Sequence, residues 1–415
     1  MHIVLDLLPH TNQFIRFQLR SRGSTLATTP IQVFVHLAHG FGGQSWERRW
    51  KEGKILGVNE PLPYGYYRAD AMGCSVTHSQ DRQEAAPTRF FRLGIRAILG
   101  FDLIHAWRNF EGILNADVVW THTESQFLAI LLLLQSTPRP RRPKLIAQSV
   151  WLFDRWHKFS ALKRRLFSML IKQADILTVL SPENLAVAKQ LFPEVRSAFV
   201  QFGIAIDARV TPTPRPAKNS LNIVSLGNDE HRDWNRLIDA VRGQRDWTLK
   251  IASQVIKPSS IGDATNVEIV RPKTNKELFA LYQWADVLVL ATKPNFHASG
   301  ITVIQEAVLQ GLPVICSDTG GLRAYFTDTE VHYVPPLDAT ALQNAIHNLA
   351  NDPKARLTLA EKAQVRMGPQ DLSSESFVRR HVEISRNLLA EDRDLKIPPA
   401  TDLHQSSQTS HDAIC

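Results

Sequence analysis

Short apolar runs alternate with stretches of helical periodicity along this chain, twice over, and a proline-rich segment separates the two rounds. In the first round 31–38, 116–120, 144–148, 176–180 and 198–201 read as strands, with helices at 88–112, 123–135, 158–173 and 182–191. In the second, strands fall at 221–226, 247–251, 267–270, 287–290 and 313–316, with helices at 232–242, 275–284, 302–310, 338–350 and 353–366. Apolar strands alternating with helices predict parallel sheets covered on both faces. The expected fold class is α/β, with two Rossmann-like doubly wound domains facing a cleft. Its length of 415 residues fits, since one core rarely serves so long a chain.

The break lies at 205–220, where Pro212, Pro214 and Pro216 sit among polar residues, a linker composition. The expected organisation is a leader of unclear role at 1–29, an N-terminal domain at 30–204, a hinge at 205–220 and a C-terminal domain at 221–372. A closing amphipathic helix follows at 373–392, with Ser373 and Ser374 as caps and Glu375 in its first turn. The segment 396–415, rich in Ser, Gln, Thr and His, reads as a disordered tail.

Hydrophobic content of 44% and charged content of 21% are those of a globular protein. Cys74, Cys316 and Cys415 have no paired spacing, which argues against a disulfide framework or a zinc site and for a reducing, cytoplasmic setting. His10, Asn12, Gln13 and Arg16 interrupt the start where a signal peptide needs an apolar core. The longest apolar run, 127–134, is far shorter than the roughly 20 residues that span a bilayer. A net charge of +8 favours anionic partners.

Chemistry concentrates in 291–321, Ala-Thr-Lys-Pro-Asn-Phe-His-Ala-Ser-Gly-Ile-Thr-Val-Ile-Gln-Glu-Ala-Val-Leu-Gln-Gly-Leu-Pro-Val-Ile-Cys-Ser-Asp-Thr-Gly-Gly. The order is strand, small-residue loop, helix, strand, then a Gly-Gly turn. Ala298, Ser299 and Gly300 open the helix that continues through Ile301 and Thr302, so its N-terminal amides and positive dipole end suit a diphosphate. Glu306, about a turn into that helix, can accept hydrogen bonds from two ribose hydroxyls. Gly320 and Gly321 let backbone approach a ligand closely.

This stretch closely resembles the donor-binding segment of family 4 and related GT-B glycosyltransferases. The resemblance implies a sugar nucleotide, UDP- or GDP-linked, as donor, with Glu306 on its ribose. The family's usual first glutamate, eight positions earlier, is Ala298 here, leaving its work to His297, Ser299 or Asn295. The segment 221–240, with Gly227 ending a strand, resembles the opening of the family's C-terminal domain. There a basic pair grips the diphosphate; Arg232 is the candidate by position and Arg236 the alternative. The turn 203–207 resembles the family's domain-junction turn, with Phe202 where asparagine is usual.

The N-terminal half carries weaker signals. Gly42 and Gly43, in the glycine cluster after the first strand, stand where the family's glycine-rich loop approaches donor and acceptor. His122, in Asp-Val-Val-Trp-Thr-His, matches a family histidine beside the transferred sugar, either bonding it or acting as base. Asp154 and Glu124 are further candidate bases. No metal is implied: helix dipole and basic side chains take the diphosphate's charge, and the Asp392-Arg-Asp394 run lies after the last helix. No cofactor or nucleic-acid reader motif is implied either.

Basic residues with interleaved aromatics mark two helical stretches: Arg89, Arg92 and Arg96, and then Arg155, Lys158, Lys163, Arg164, Arg165 and Lys172. The segment 138–144 adds a positive loop. These suggest an anionic membrane face, and so peripheral association with the inner membrane and a saccharide or lipid-linked acceptor. The expected function is hexosyl transfer in polysaccharide or glycolipid biosynthesis. A sugar-nucleotide epimerase or hydrolase, and a non-catalytic binding subunit, stay open as alternatives.

Overall fold

The computed structural model describes residues 29–138, 142–214, 220–368 and 371–394. The expected leader, apart from its last residue, the tail and residues 215–219 of the hinge lie outside these. The chain divides into Met1–Pro30 and one unit beginning at Ile31 that holds both sheets.

Six strands form the first sheet: β1 (Ile31–His36), β2 (Cys74–His78), β3 (Val118–Thr121), β4 (Lys144–Ser149), β5 (Ile176–Val179) and β6 (Ser197–Phe199). Six form the second: β7 (Leu221–Leu226), β8 (Trp247–Ala252), β9 (Val267–Val270), β10 (Val287–Leu290), β11 (Val314–Ser317) and β12 (His332–Val334). Every pairing is parallel, in the orders β2-β1-β3-β4-β5-β6 and β12-β11-β10-β7-β8-β9. These are the two doubly wound orders, which reverse direction at β1/β3 and at β7/β10. Central strands such as Val-Leu-Val-Leu in β10 are buried throughout, as a sheet covered on both faces requires.

Local chemistry sets the helix starts. Ser181 caps the helix Pro182–Leu191 with proline in its first turn, and Thr123 with Gln126 makes a capping box for Glu124–Leu134. Two strands escaped the sequence reading. β2 is a polar edge strand, Cys-Ser-Val-Thr-His, and β12 has three residues. The single helix expected at 88–112 is three: Ala86–Leu99, Leu103–Arg108 and Phe110–Leu114. Gly100, at φ 85°, ends the first, and Asp102 caps the second through the His105 amide.

The described part of the 205–220 segment does not swing free. Val210 N–H donates to the Leu309 carbonyl, and Gln364 and Arg209 tie it to the helix Pro353–Arg366 and the residue after it. The halves instead meet where Ile204 pairs with Ser373. Gly203 is needed there, because a Cβ would sit 2.2 Å from the Ser373 carbonyl oxygen. The final helix, Ser374–Asp394, then crosses back onto the first sheet, where Trp120 Nε1 donates to Ser385 Oγ at 2.9 Å.

Candidate functional site

The carboxyl ends of both sheets converge on one cavity of about 380 Å³. From the first half come Tyr64, His122, Thr123, Val150, Trp151, Leu180 and Phe202; from the second, Gly227, Asn228, Asp229, Arg232 and residues 297–303. In open α/β sheets ligands bind outside the strand carboxyl ends at the order reversal, and β7/β10 lies directly behind this wall.

Arg232 forms the floor. Its Nε donates to the Leu226 carbonyl at 3.0 Å and Nη1 to Ser299 Oγ at 2.8 Å. A Cβ on Gly227 would fall 2.4 Å from Nε, so this glycine, at φ 136°, makes room for the guanidinium. Burial lowers the Arg232 pKa to about 10, partly countered by Asp229, so it stays cationic at neutral pH. Ala298 at φ 54° and Gly300 at φ 98° wind the loop left-handed into the helix Ile301–Leu309. A left-handed alanine is strained, a state that clusters at ligand sites.

A chain of charged hydrogen bonds crosses the cleft beside that floor. His297 Nδ1 meets Asp154 Oδ2 at 2.8 Å, and Nε2 meets Asp229 Oδ2 at 3.1 Å. Burial opposes the charged ring, but the bonds to Asp154 and Asp229 outweigh it and raise its pKa to about 9. Asp229 also accepts from Trp151 Nε1 and from the His231 amide, and lies 3.1 Å from His231 Nδ1. Burial pushes the Asp229 carboxyl up, yet its bonds to His231 and His297 hold it far below the usual range.

Several expected roles need correction. Asp154 is not placed as a base: Oδ1 accepts from the Phe296 amide, Oδ2 meets His297, and it is off the cavity wall. Glu124 is likewise turned inward, accepting from the Val150 and Trp151 amides. His122 does line the cavity, stacked 3.6 Å from Tyr64. Its Nδ1 is met by Tyr66 O–H at 3.0 Å and the Gln148 amide nitrogen at 3.3 Å. Nδ1 therefore accepts and Nε2 carries the proton. Burial, with His381, lowers its pKa to about 3. A neutral ring protonated at Nε2 does not take a hydroxyl's proton there, which counts against the base alternative.

Glu306 does not reach the cavity. Oε1 accepts from the Val58 amide at 2.9 Å and Oε2 from Tyr282 O–H at 3.0 Å. Asn275 fastens the same strap, accepting from the Gly57 amide and donating to the Ile55 carbonyl. Gly42 and Gly43 also leave the ligand wall: their amides bond Asp81 and Ser79. Gly320 makes room for Asn295, and Gly321 for Glu183 of the other half. Arg236, the alternative cation, is exposed on the helix Trp234–Val241. Thus Gly227, Arg232, His297, Ser299, Gly300, Ile301, Thr302 and His122 come together as expected. Tyr64, Trp151, Asn228 and Asp229 went unassigned, although Trp151 and the 227–232 turn sit at strand ends, where ligands gather.

Two sheets facing one cleft, with the last helix crossing back, define a GT-B fold. Structures known to share it include sucrose-phosphate synthase from Thermosynechococcus elongatus, with a TM-score of 0.66 and 17% identity, covering 87% of this chain and 100% of that one. Another is Anabaena Alr3699/HepE, solved with UDP-glucose, with a TM-score of 0.60 and 14% identity, covering 86% of this chain and 99% of that one. At such identities the likeness is one of fold.

Residues 260–366 match the model of the family described as Glycosyl transferases group 1. A D-inositol 3-phosphate glycosyltransferase of Corynebacterium urealyticum is 30% identical over 132 residues, which is 31% of this chain and 29% of that relative's length.

Proposed function

We propose that this protein is a glycosyltransferase moving a hexose-type sugar from a UDP- or GDP-linked donor onto a saccharide or lipid-linked saccharide, in polysaccharide or glycolipid biosynthesis. The carrying observation is a buried, still cationic Arg232 under the loop that opens the helix Ile301–Leu309, at a cavity both halves line. As the glycosidic bond breaks, negative charge grows on the departing diphosphate, and the guanidinium and helix N-terminus face it without rearrangement. His122, Tyr64 and Trp151, which line the cavity, would hold the sugar and acceptor. HepE, a protein of like fold solved with UDP-glucose, supports a sugar-nucleotide donor. No cofactor enters this reading.

For Glu306 to bind ribose, the 55–58 strap must leave its carboxylate. That contact, together with Ala298 in place of a glutamate, is what favours the second reading, a non-catalytic sugar-nucleotide-binding subunit. Incubation with UDP-, GDP-, ADP- and dTDP-sugars separates the readings. Nucleotide release that depends on acceptor supports transfer, while release without acceptor indicates a hydrolase. Binding without release indicates the subunit, and no binding at all ends the proposal.

We also infer that the acceptor is met at an anionic membrane face. Among the described residues no helix is long and apolar enough to cross a bilayer. The helix Ala86–Leu99 is inverted, however: its one buried side chain is Arg92, paired with Glu84 and Asp102, while Phe90 is 73% exposed, Phe91 64% and Ile98 82%. Arg92 therefore drops out of the expected basic face, as do Arg155, Lys158 and Lys172, which pair with Glu230 or Glu194. Exposed Arg89, Arg96, Arg164 and Arg165 remain around the apolar side chains, an arrangement suited to an anionic interface. Equal flotation with neutral and anionic vesicles would end this inference.

A further inference from the structure

Two clusters of metal-ligating side chains occur among the described residues: Asp229, His231 and His297 at the cleft, and His39, Asp81 and His105 in the first half. They differ in how their hydrogen bonds close. The aspartate accepts at both oxygens in each, but in the first His297 spends both ring nitrogens on carboxylates. In the second, His105 Nδ1 and His39 Nε2 are buried with no hydrogen-bond partner, and so is Nδ1 of His36, whose ring stacks on His105 at 5.1 Å. A buried unsatisfied nitrogen is costly, so three together imply a missing partner.

We propose that His39, Asp81 and His105 form a binding site for a divalent transition metal of the zinc type. One nitrogen of each imidazole and one Asp81 oxygen lie within 4.8 Å of one another. Two imidazoles and a carboxylate suit zinc or cobalt and leave a fourth position for water. The supporting groups are in place. Asp81 is oriented by the Gly40 and Gly42 amides at 2.9 and 3.0 Å, and His105 Nε2 lies 3.1 Å from the Leu37 carbonyl. Such bonds hold metal ligands in register. Glu84 and Asp102 are engaged with Arg92 and Arg108, although Glu84 Oε2 also lies 3.9 Å from His39 Nε2, and Asp81 Oδ1 lies 3.9 Å from His105 Nε2.

His36, His39 and His105 border, with Arg96 and Asp102, a cavity of about 10 Å³, the size for one water; Asp81 lies off its wall, so a metal held by His39, Asp81 and His105 would sit beside it. Ligand atoms on tetrahedral zinc stand roughly 3.3 Å apart, so closure draws the groups inward by about 1 Å. His39, partly exposed on the loop after β1, is the member free to make that move. Bound metal would pin this loop to the helix Leu103–Arg108 and to the stretch after β2. The site adjoins the carboxyl end of β1 at the first sheet's order reversal, and does not depend on the proposed transfer reaction.

The test is a cobalt titration of the full chain, stripped with chelator, with visible absorption as readout. Wild type and His231→Ala are expected to give tetrahedral d–d bands saturating at one equivalent, displaced by zinc. His39→Ala and Asp81→Asn, folded by circular dichroism, are expected to lose them; His105→Ala is a third arm if it folds. A featureless wild-type titration overturns the site. So do bands that survive in His39→Ala and Asp81→Asn, or bands lost in His231→Ala, which would put the metal at the cleft cluster.

Discussion

Arg232 is buried yet keeps its charge, because Leu226, Ser299 and Asp229 stand in for the water it gave up. That leaves a fixed cation under the loop that opens the helix Ile301–Leu309. Arg232→Lys retains charge but loses the planar fork. Turnover is expected to fall roughly 10²–10³-fold, the usual loss for one oxyanion donor, with a smaller change in nucleotide affinity. Steady-state kinetics alongside calorimetry checks the split; equal losses in both would mean ground-state binding alone. Glu306→Ala is expected to loosen the 55–58 strap it holds, read as faster amide exchange there. His297 gives a pH signature. Its folded pKa of about 9 exceeds the usual 6.5, so its stabilisation is complete below about 6.5 and lost as pH rises through about 9. The stake is at most roughly 3 kcal/mol. Urea melts of wild type and His297→Gln at pH 7 and pH 10 are expected to differ at the lower pH and converge at the higher.

At the scale of the element, the 55–58 strap and the helix Ala86–Leu99 are the two pieces whose place periodicity does not explain. Gly57 sits at φ 96°, and a Cβ there would lie 2.2 Å from Glu306 Oε1. Gly57→Ala therefore meets both backbone strain and a carboxylate. Its expected cost is roughly 1–3 kcal/mol if the strap stays. If the strap lifts instead, amide exchange over 53–60 accelerates and nucleotide affinity rises, which is the outcome a covering strap predicts. For the helix, Phe90→Ser with Phe91→Ser is expected to abolish binding to anionic vesicles. Folding stability should stay within about 0.5 kcal/mol, since both rings are already in solvent. A large stability loss would show the rings packed against protein. The strands of the second half other than β12 were plain from sequence, because β7, β9 and β10 carry apolar runs between polar turns. β2 was not, since a polar edge strand has no such contrast.

Across the whole molecule, the halves are joined by the Ile204–Ser373 pairing, by the final helix on the first sheet, and by polar contacts over the cleft. Trp151 to Asp229, Arg155 to Glu230 and Asp154 to His297 all bridge the same rim, so the rim acts as a latch beside the cavity. The sequence alone determined what depends on near neighbours. Alternating apolar and helical periods set two α/β units, a small-residue loop before a helix marked the 298–302 turn, and the resemblance of 221–240 pointed to Arg232. Which polar group answers which was decided only by the tertiary structure. Asp154 meets Phe296 across 142 positions and Val58 meets Glu306 across 248. Periods of 2 and 3.6 residues describe the face a side chain takes on its own element. They hold no record of the partner that folding brings opposite it. For that reason Asp154 and Glu306 had the right chemistry for base and ribose ligand, and the fold gave both carboxylates to the opposite half.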